Sequence, residues 1–237
     1  MRNLLQYLMQ DYQAKISEKK YLTLNTLEIT VELISPDEIL FKAGQYMEFV
    51  LPGAVKSYAI LSVPDHNRSL KFCIHVDTKE KESELIRNFQ VGDLLSLKGP
   101  LGNFEIFDFS RDIFFIAAGT AIAPFVSIIP DILSRGYDKH AKLLFGVKSE
   151  EDVFYFDKFT HLTNLYQNFS FVPLLSQPKS HWPGGIGTIT THVDVHYDLF
   201  ADNIFYISGS SEMVKSIVTI LEKKGHNPAD IKEMIFA

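Results

Sequence analysis

The chain has 237 residues, of which 46% are hydrophobic and 22% charged, enough for one large core or two of about 100 to 130 residues each. Its 23 basic and 29 acidic residues give a net charge of −6 with no basic run, which excludes the electrostatic footprint of a nucleic-acid binder. The single cysteine, Cys73, excludes an intrachain disulfide, a four-cysteine zinc site and a cysteine-ligated iron–sulfur cluster within this chain.

In chain order, Leu4, Leu5, Leu8, Met9, Tyr12 and Ile16 recur at helical spacing and predict a short N-terminal helix. Gln6, Gln10 and Asp11 break the run, so it lacks the apolar stretch of a signal peptide. No run approaches the roughly 18 apolar residues of a membrane span, and a cytoplasmic location fits. Strands are then predicted at 21–34, 44–52, 56–64 and 69–76, all rich in β-branched and aromatic residues. A helix-compatible segment at 81–89 leads to a further strand at 92–106. Several short strands at this spacing imply an antiparallel barrel capped by one helix.

From about residue 110 the rhythm changes. Strand candidates at 112–119, 140–147, 168–175, 203–209 and 230–236 alternate with helical candidates at 123–136, 155–166, 189–200 and 210–225. Such alternation implies a Rossmann-like α/β domain with a mostly parallel sheet. The expected division is 1–109, a barrel with its N-terminal helix, and 110–237, the α/β domain.

Ligands of such sheets bind at the carboxyl ends of the strands, and three ends here carry small residues: 117–121, 145–152 and 207–213. The last opens a helix with Ser210 and Ser211, which suit an N-cap and leave amides for an anion. Other chemistry finds little support. His192 and His196 are four apart, but two ligands are too few for zinc, so no metal site is expected. Ser57, Ser62 and Ser208 lack the glycine-flanked elbow of a hydrolase nucleophile. Cys73 reads as a strand residue facing the barrel core, with His75 on the same face.

Six segments stand in a telling order: GQY at 44–46, KSYAILS at 56–62, GDLLSLKGPLGNF at 92–104, AAGTAIAP at 117–124, WPGGIGT at 182–188 and SGSSEM at 208–213. This order resembles the ferredoxin-NADP reductase superfamily, and within it the short bacterial NAD(P)H:flavin reductases and small flavin-binding reductase subunits. The resemblance implies a flavin-binding barrel (FAD or FMN) followed by a domain for NADH or NADPH as electron donor, with hydride passing from nicotinamide to flavin.

Carried over by residue, the family's Arg-x-Tyr-Ser pattern reads Lys56-Ser57-Tyr58-Ala59 here. Tyr58 matches the residue that stacks on the isoalloxazine, and Lys56 replaces an arginine on the flavin phosphate, keeping charge but losing the two-pronged donor. Ala59 stands where a hydroxyl usually bonds near flavin N5, which implies slower hydride transfer with Ser57 and Ser62 as substitute donors. Ser83 falls where relatives hold flavin phosphate, preceded here by Glu82 instead of a small residue. Phe236 matches a terminal aromatic that shields the flavin.

For the nucleotide, the resemblance points to Gly119, Thr120, Ala121, Pro124, Lys148, Gly209, Ser210 and Met213. Ala118 and Ala121 replace two family glycines, and Trp182 matches a loop position over the nucleotide. The implied function is a flavin-dependent oxidoreductase passing electrons from NAD(P)H to an acceptor. Two other readings stay open: an electron-transfer subunit with a protein acceptor as partner, and a degenerate nucleotide-binding module.

Overall fold

A computed structural model describes residues 9–65, 68–77, 79–196 and 203–236. The chain divides into two compact units: one comprises the residues up to Glu105 with Ala123–Asp131, the other Ile106–Ile122 with the residues from Ile132 onward.

The first unit is a six-stranded antiparallel sheet of order β4-β3-β6-β1-β2-β5, formed by β1 (Gln10–Thr23), β2 (Thr26–Ser35), β3 (Tyr46–Leu51), β4 (Ala54–Ala59), β5 (Ser69–His75) and β6 (Leu94–Leu101). The two edges meet just beyond β4, where Ile60 bridges Phe72 of β5 and the Leu61 amide donates to Lys71 O at 2.9 Å. The sheet therefore curls into a barrel. α1 (Lys81–Asn88) is the helix expected at 81–89, and the Lys19 ammonium caps its last turn by donating to Arg87 O and Phe89 O.

The start of the chain corrects the prediction of an N-terminal helix. Residues 10–16 lie in β1, with Tyr12, Ala14 and Ile16 buried and Asp11, Gln13 and Lys15 exposed. That alternation has the two-residue period of a strand, and antiparallel pairing with Leu97, Leu95 and their neighbours on β6 outweighs the helical spacing. Leu4, Leu5 and Leu8 lie outside the described residues. The stretch predicted as one strand at 21–34 is instead a hairpin turning at Leu24–Asn25, with Thr23 opposite Thr26. On β5, the fully buried Leu70, Phe72 and Ile74 form the core face. Cys73 is buried on the opposite face, with the exposed Lys71 and His75, so it does not face the core as expected.

The second unit is a parallel sheet of order β10-β9-β8-β7-β11-β12: β7 (Asp112–Ala118), β8 (Ala141–Val147), β9 (Phe169–Leu175), β10 (Gly185–Ile186), β11 (Asn203–Ser210) and β12 (Ile231–Phe236). β7 and β11 are apolar runs buried on both faces, as central parallel strands require. The helices are α2 (Ala123–Ser134), α3 (Phe156–Leu165), α4 (Ile189–His196) and α5 (Ser211–Lys223). α5 buries Val214, Ile217 and Leu221, one helical face, against Phe205, Ile207 and Ile231, each side chain contributing about 1.5 to 3 kcal/mol. Arg111 ties the unit's ends together: Nε donates to Asp108 and Nη2 to Asp230, 119 residues away, at 2.6 Å.

The units depart from the expected division at residue 109. The change comes at Glu105/Ile106, and most of α2 belongs with the barrel. The reason is contact at long sequence separation: Phe125 packs on Phe104, and the Ser127 hydroxyl donates to Ser62 O at 2.6 Å.

Candidate functional site

In the second unit, β8, β7 and β11 are adjacent, with Ala118 level with Gly146 and Ser208 level with Ala117. All three small-residue strand ends therefore lie along one edge of one sheet. Their glycines do different work. A Cβ on Gly146 would overlap Ile189, and one on Gly209 would overlap the Met213 side chain, so both permit close packing. Gly119 alone of the three has a left-handed backbone, φ 54°, and nothing within 4 Å of the Cβ position. That open backbone fits close approach of a pyrophosphate.

Residues 119–122 form one 3₁₀ turn that runs into α2, with Pro124 at its second position. Tyr155 is the one described non-glycine residue with positive φ, so Ala118 and Ala121 replace glycine without backbone strain. The Ala121 methyl is buried. At the β11 end, Ser210 is the N-cap of α5, its hydroxyl accepting from the Met213 amide. Ser208, one residue before Gly209, is fully buried and its hydroxyl has no partner. A buried orphan donor at a strand end suits a polar ligand group.

Beyond β8, three carboxylates follow Lys148 and each is engaged. Glu150 accepts from the Lys179 and Ser180 amides and the Ser180 hydroxyl, and these bonds, the Lys179 amide foremost, hold its pKa down to about 2. Glu151 pairs with the Lys179 ammonium at 2.8 Å, and Asp152 accepts from the Ser149 amide and hydroxyl. Lys148 itself is exposed, with no ion pair among the described residues. Trp182 packs edge-on to Phe156 and against Gly184, beside a cavity of about 490 Å³ that Phe171 and Pro173 also line. Phe236 lies opposite Ser210 on β12, at the same sheet edge as the nucleotide candidates.

In the first unit, register places Lys56 opposite Phe49 and Tyr58 opposite Met47, so these four share one face of the β3–β4 ribbon. The Tyr58 and Phe49 rings meet edge to face at 4.8 Å. Burial, then Glu80 and Glu82, raise the Tyr58 pKa above its usual range, so the phenol stays protonated. Ser57 and Ala59 point to the other face, where Ala59 is opposite Tyr46. The Ser62 hydroxyl donates to Ser69 O and accepts from the Lys71 amide, while the hydroxyl of buried Ser83 accepts from the Asp77 amide.

The GQY segment ties the start of β3 to residues 102–104. Gln45 is buried, accepting from the Lys42 amide and donating to Gly102 O. Gly44, at φ 94°, lies where a Cβ would overlap Phe104 O, and the Tyr46 ring rests on Gly102. Among the described residues no group of three or more histidine, cysteine or acidic side chains is placed to hold a metal.

Two sequence families match in succession: "Oxidoreductase FAD-binding domain" over residues 13–106 and "Oxidoreductase NAD-binding domain" over 115–219. The chain belongs to the ferredoxin-NADP reductase superfamily. The superfamily comprises flavin- and nicotinamide-dependent oxidoreductases; the FAD-binding match runs from β1 past β6 and the NAD-binding match from β7 into α5. Among curated relatives, the toluate 1,2-dioxygenase electron transfer component of Pseudomonas putida is 27% identical over 95% of this chain and 68% of its own length. The reductase component of phenol 2-monooxygenase from a Pseudomonas species is 27% identical over 90% of this chain and 62% of its own length. The chain thus spans about two thirds of these relatives. In fold it superposes on an Amycolatopsis cytochrome P450 reductase with a TM-score of 0.89, at 23% identity over 97% of this chain and 71% of that one. A Neisseria gonorrhoeae ferredoxin NADP⁺ reductase solved with FAD and NADP gives 0.81, at 22% identity over 95% and 98%.

Sequence reasoning missed Glu80 and the Glu150 clamp. Both are surface acids in charge-mixed segments, and a single sequence carries no signal of which cation or amide each one meets.

Proposed function

We propose that this chain takes hydride from NAD(P)H on to a flavin and delivers electrons to a protein acceptor. The observation that carries the reading is the succession of FAD-binding and NAD-binding family matches in one chain, with curated relatives that are electron transfer and reductase components. Those relatives favour a protein acceptor over free flavin as the end of the route. The family description favours FAD over FMN. When bound, the flavin supplies two-electron acceptance and one-electron release.

The chain's residues bind and orient. In the first unit Tyr58 offers its ring to the isoalloxazine and Lys56 its charge to the phosphate, with Ser57, Ala59 and the Ser83 backbone completing the surroundings. In the second, Gly119 and Thr120 offer open backbone to the pyrophosphate, with Ala121 and Pro124 shaping the turn. Ser210 and Met213 frame a helix N-terminus whose dipole favours an anion. Ser208 offers a donor to the carboxamide end. Lys148, the one uncommitted charge beside three engaged carboxylates, supports acceptance of a 2′-phosphate and hence of NADPH. Need of NAD(P)H fits a cytoplasmic setting. No protein acid or base is required for direct hydride transfer, so catalysis rests on position.

Anaerobic addition of NADH or NADPH to the purified flavin-loaded protein tests the reading: bleaching of the visible flavin band is expected, followed by recovery with a one-electron acceptor protein. Absence of bleaching with either nucleotide, both with bound flavin and with flavin added free, refutes it and favours a degenerate module.

A further inference from the structure

Lys56 lies half-exposed on the Tyr58 face, with its ammonium 3.8 Å from Glu80 Oε2. Glu80 is the N-cap residue of α1 and makes no side-chain cap bond, so its carboxylate is not spent on the helix. Glu82 follows in the first turn, and both carboxylates act on the Tyr58 phenol. Lys79 and Lys81, their chain neighbours, form no ion pair with either among the described residues. Lys56, the cation on this face, is thus paired with Glu80, while Glu82 adds a second negative charge near the Tyr58 phenol.

We propose that Glu80 competes with flavin phosphate for Lys56, so that this unit holds phosphate-bearing flavins loosely and exchangeably while recognising the isoalloxazine ring normally. The proposal rests on the flavin reading of Lys56 and Tyr58 given above. A phosphate arriving at Lys56 displaces the Glu80 carboxylate, and the released carboxylate then repels it. At a few ångströms this repulsion lowers affinity several-fold in water and further near protein. Because the pair is exposed and long, removing the Glu80 charge costs the folded protein little.

The test is titration of the full-length, flavin-stripped protein with FAD, FMN and riboflavin, read by flavin fluorescence, for wild type, Glu80→Gln and Lys56→Met. Glu80→Gln is expected to tighten FAD and FMN about 3- to 10-fold at low salt, with the gain shrinking at 0.5 M salt and riboflavin unchanged. Lys56→Met is expected to weaken FAD and FMN and to abolish the benefit of Glu80→Gln in the double variant. Equal tightening of riboflavin, or no change in any flavin, overturns the proposal while leaving flavin binding itself intact. If no flavin binds to any of the proteins, the flavin reading fails, and the proposal falls with it.

Discussion

The turn at Gly119–Ile122 supports a paired experiment, because its two small residues make opposite predictions. Gly119 has φ 54° with open space at the Cβ position. Replacing it by alanine costs about 1 to 2 kcal/mol for a left-handed L-residue, offset by about 0.4 to 1 kcal/mol from a less flexible unfolded chain. Ala121 has ordinary negative φ and only 5% exposure. Ala121→Gly removes a buried methyl worth about 0.8 kcal/mol and adds about 0.5 to 1 kcal/mol of backbone entropy cost. Both variants should thus melt a few degrees early, at roughly 2 to 4 °C per kcal/mol in a chain of this size. Their nucleotide binding should differ. The new methyl of Gly119→Ala enters the space where a pyrophosphate would approach, blocking charge-assisted amide bonds worth about 1.5 to 3 kcal/mol each, so NAD(P)⁺ affinity should fall tenfold or more. Ala121→Gly should leave affinity within twofold. Scanning calorimetry gives the first comparison and isothermal titration the second. Wild-type affinity in Gly119→Ala, or affinity more than threefold tighter in Ala121→Gly, would refute the reasoning, the latter by showing that the alanine methyl had been in the way.

The Glu150 clamp should respond to acid late. Its folded pKa, about 2, lies below the ordinary 4.5, so its stabilisation is complete above the ordinary value and disappears as pH falls through about 2. Hydrogen exchange at the Lys179 and Ser180 amides should stay slow down to pH 3 and become fast at pH 6 in Glu150→Ala; unchanged exchange in that variant would rule the clamp out. Arg111→Ala should lower stability by about 1 kcal/mol, because a charge-assisted pair at 24% side-chain exposure is only partly screened. Arg111→Lys should recover only part of that loss, since one ammonium replaces a fork spread over two aspartates; full recovery in denaturant titration would argue against the two-pronged tie. Gly44→Ala should cost upwards of about 3 kcal/mol through positive φ plus collision with Phe104 O, leaving little folded protein by circular dichroism.

Much of the fold is legible in the chain. Strand and helix periods from residue 112 to 236 anticipate the parallel sheet closely, because long apolar strands and amphipathic helices carry strong local signals. The N-terminus misled for a physical reason: Tyr12 and Ile16 satisfy helical spacing, while Tyr12, Ala14 and Ile16 also satisfy strand spacing, and only the partner strand β6 decides between them. The two-residue β10 carries no period at all. Strand periods anticipate that Gly119 follows the end of β7 and that Ser210 caps α5. The Ser62 hydroxyl both donates to and accepts from the backbone, and backbone partners across a turn leave no imprint on residue type.

By itself, the amino-acid sequence determined the two architectures, their order and the edge of the parallel sheet where small residues gather, since each follows from local period, turn chemistry and spacing. Tertiary structure alone decided that Ala118 and Ala121 are free of strain while Gly119 is open, that α2 joins the barrel through Phe125 and Ser127, and that Lys56 faces Glu80. These depend on which distant groups meet in space, and charge or size along a chain does not specify its partners.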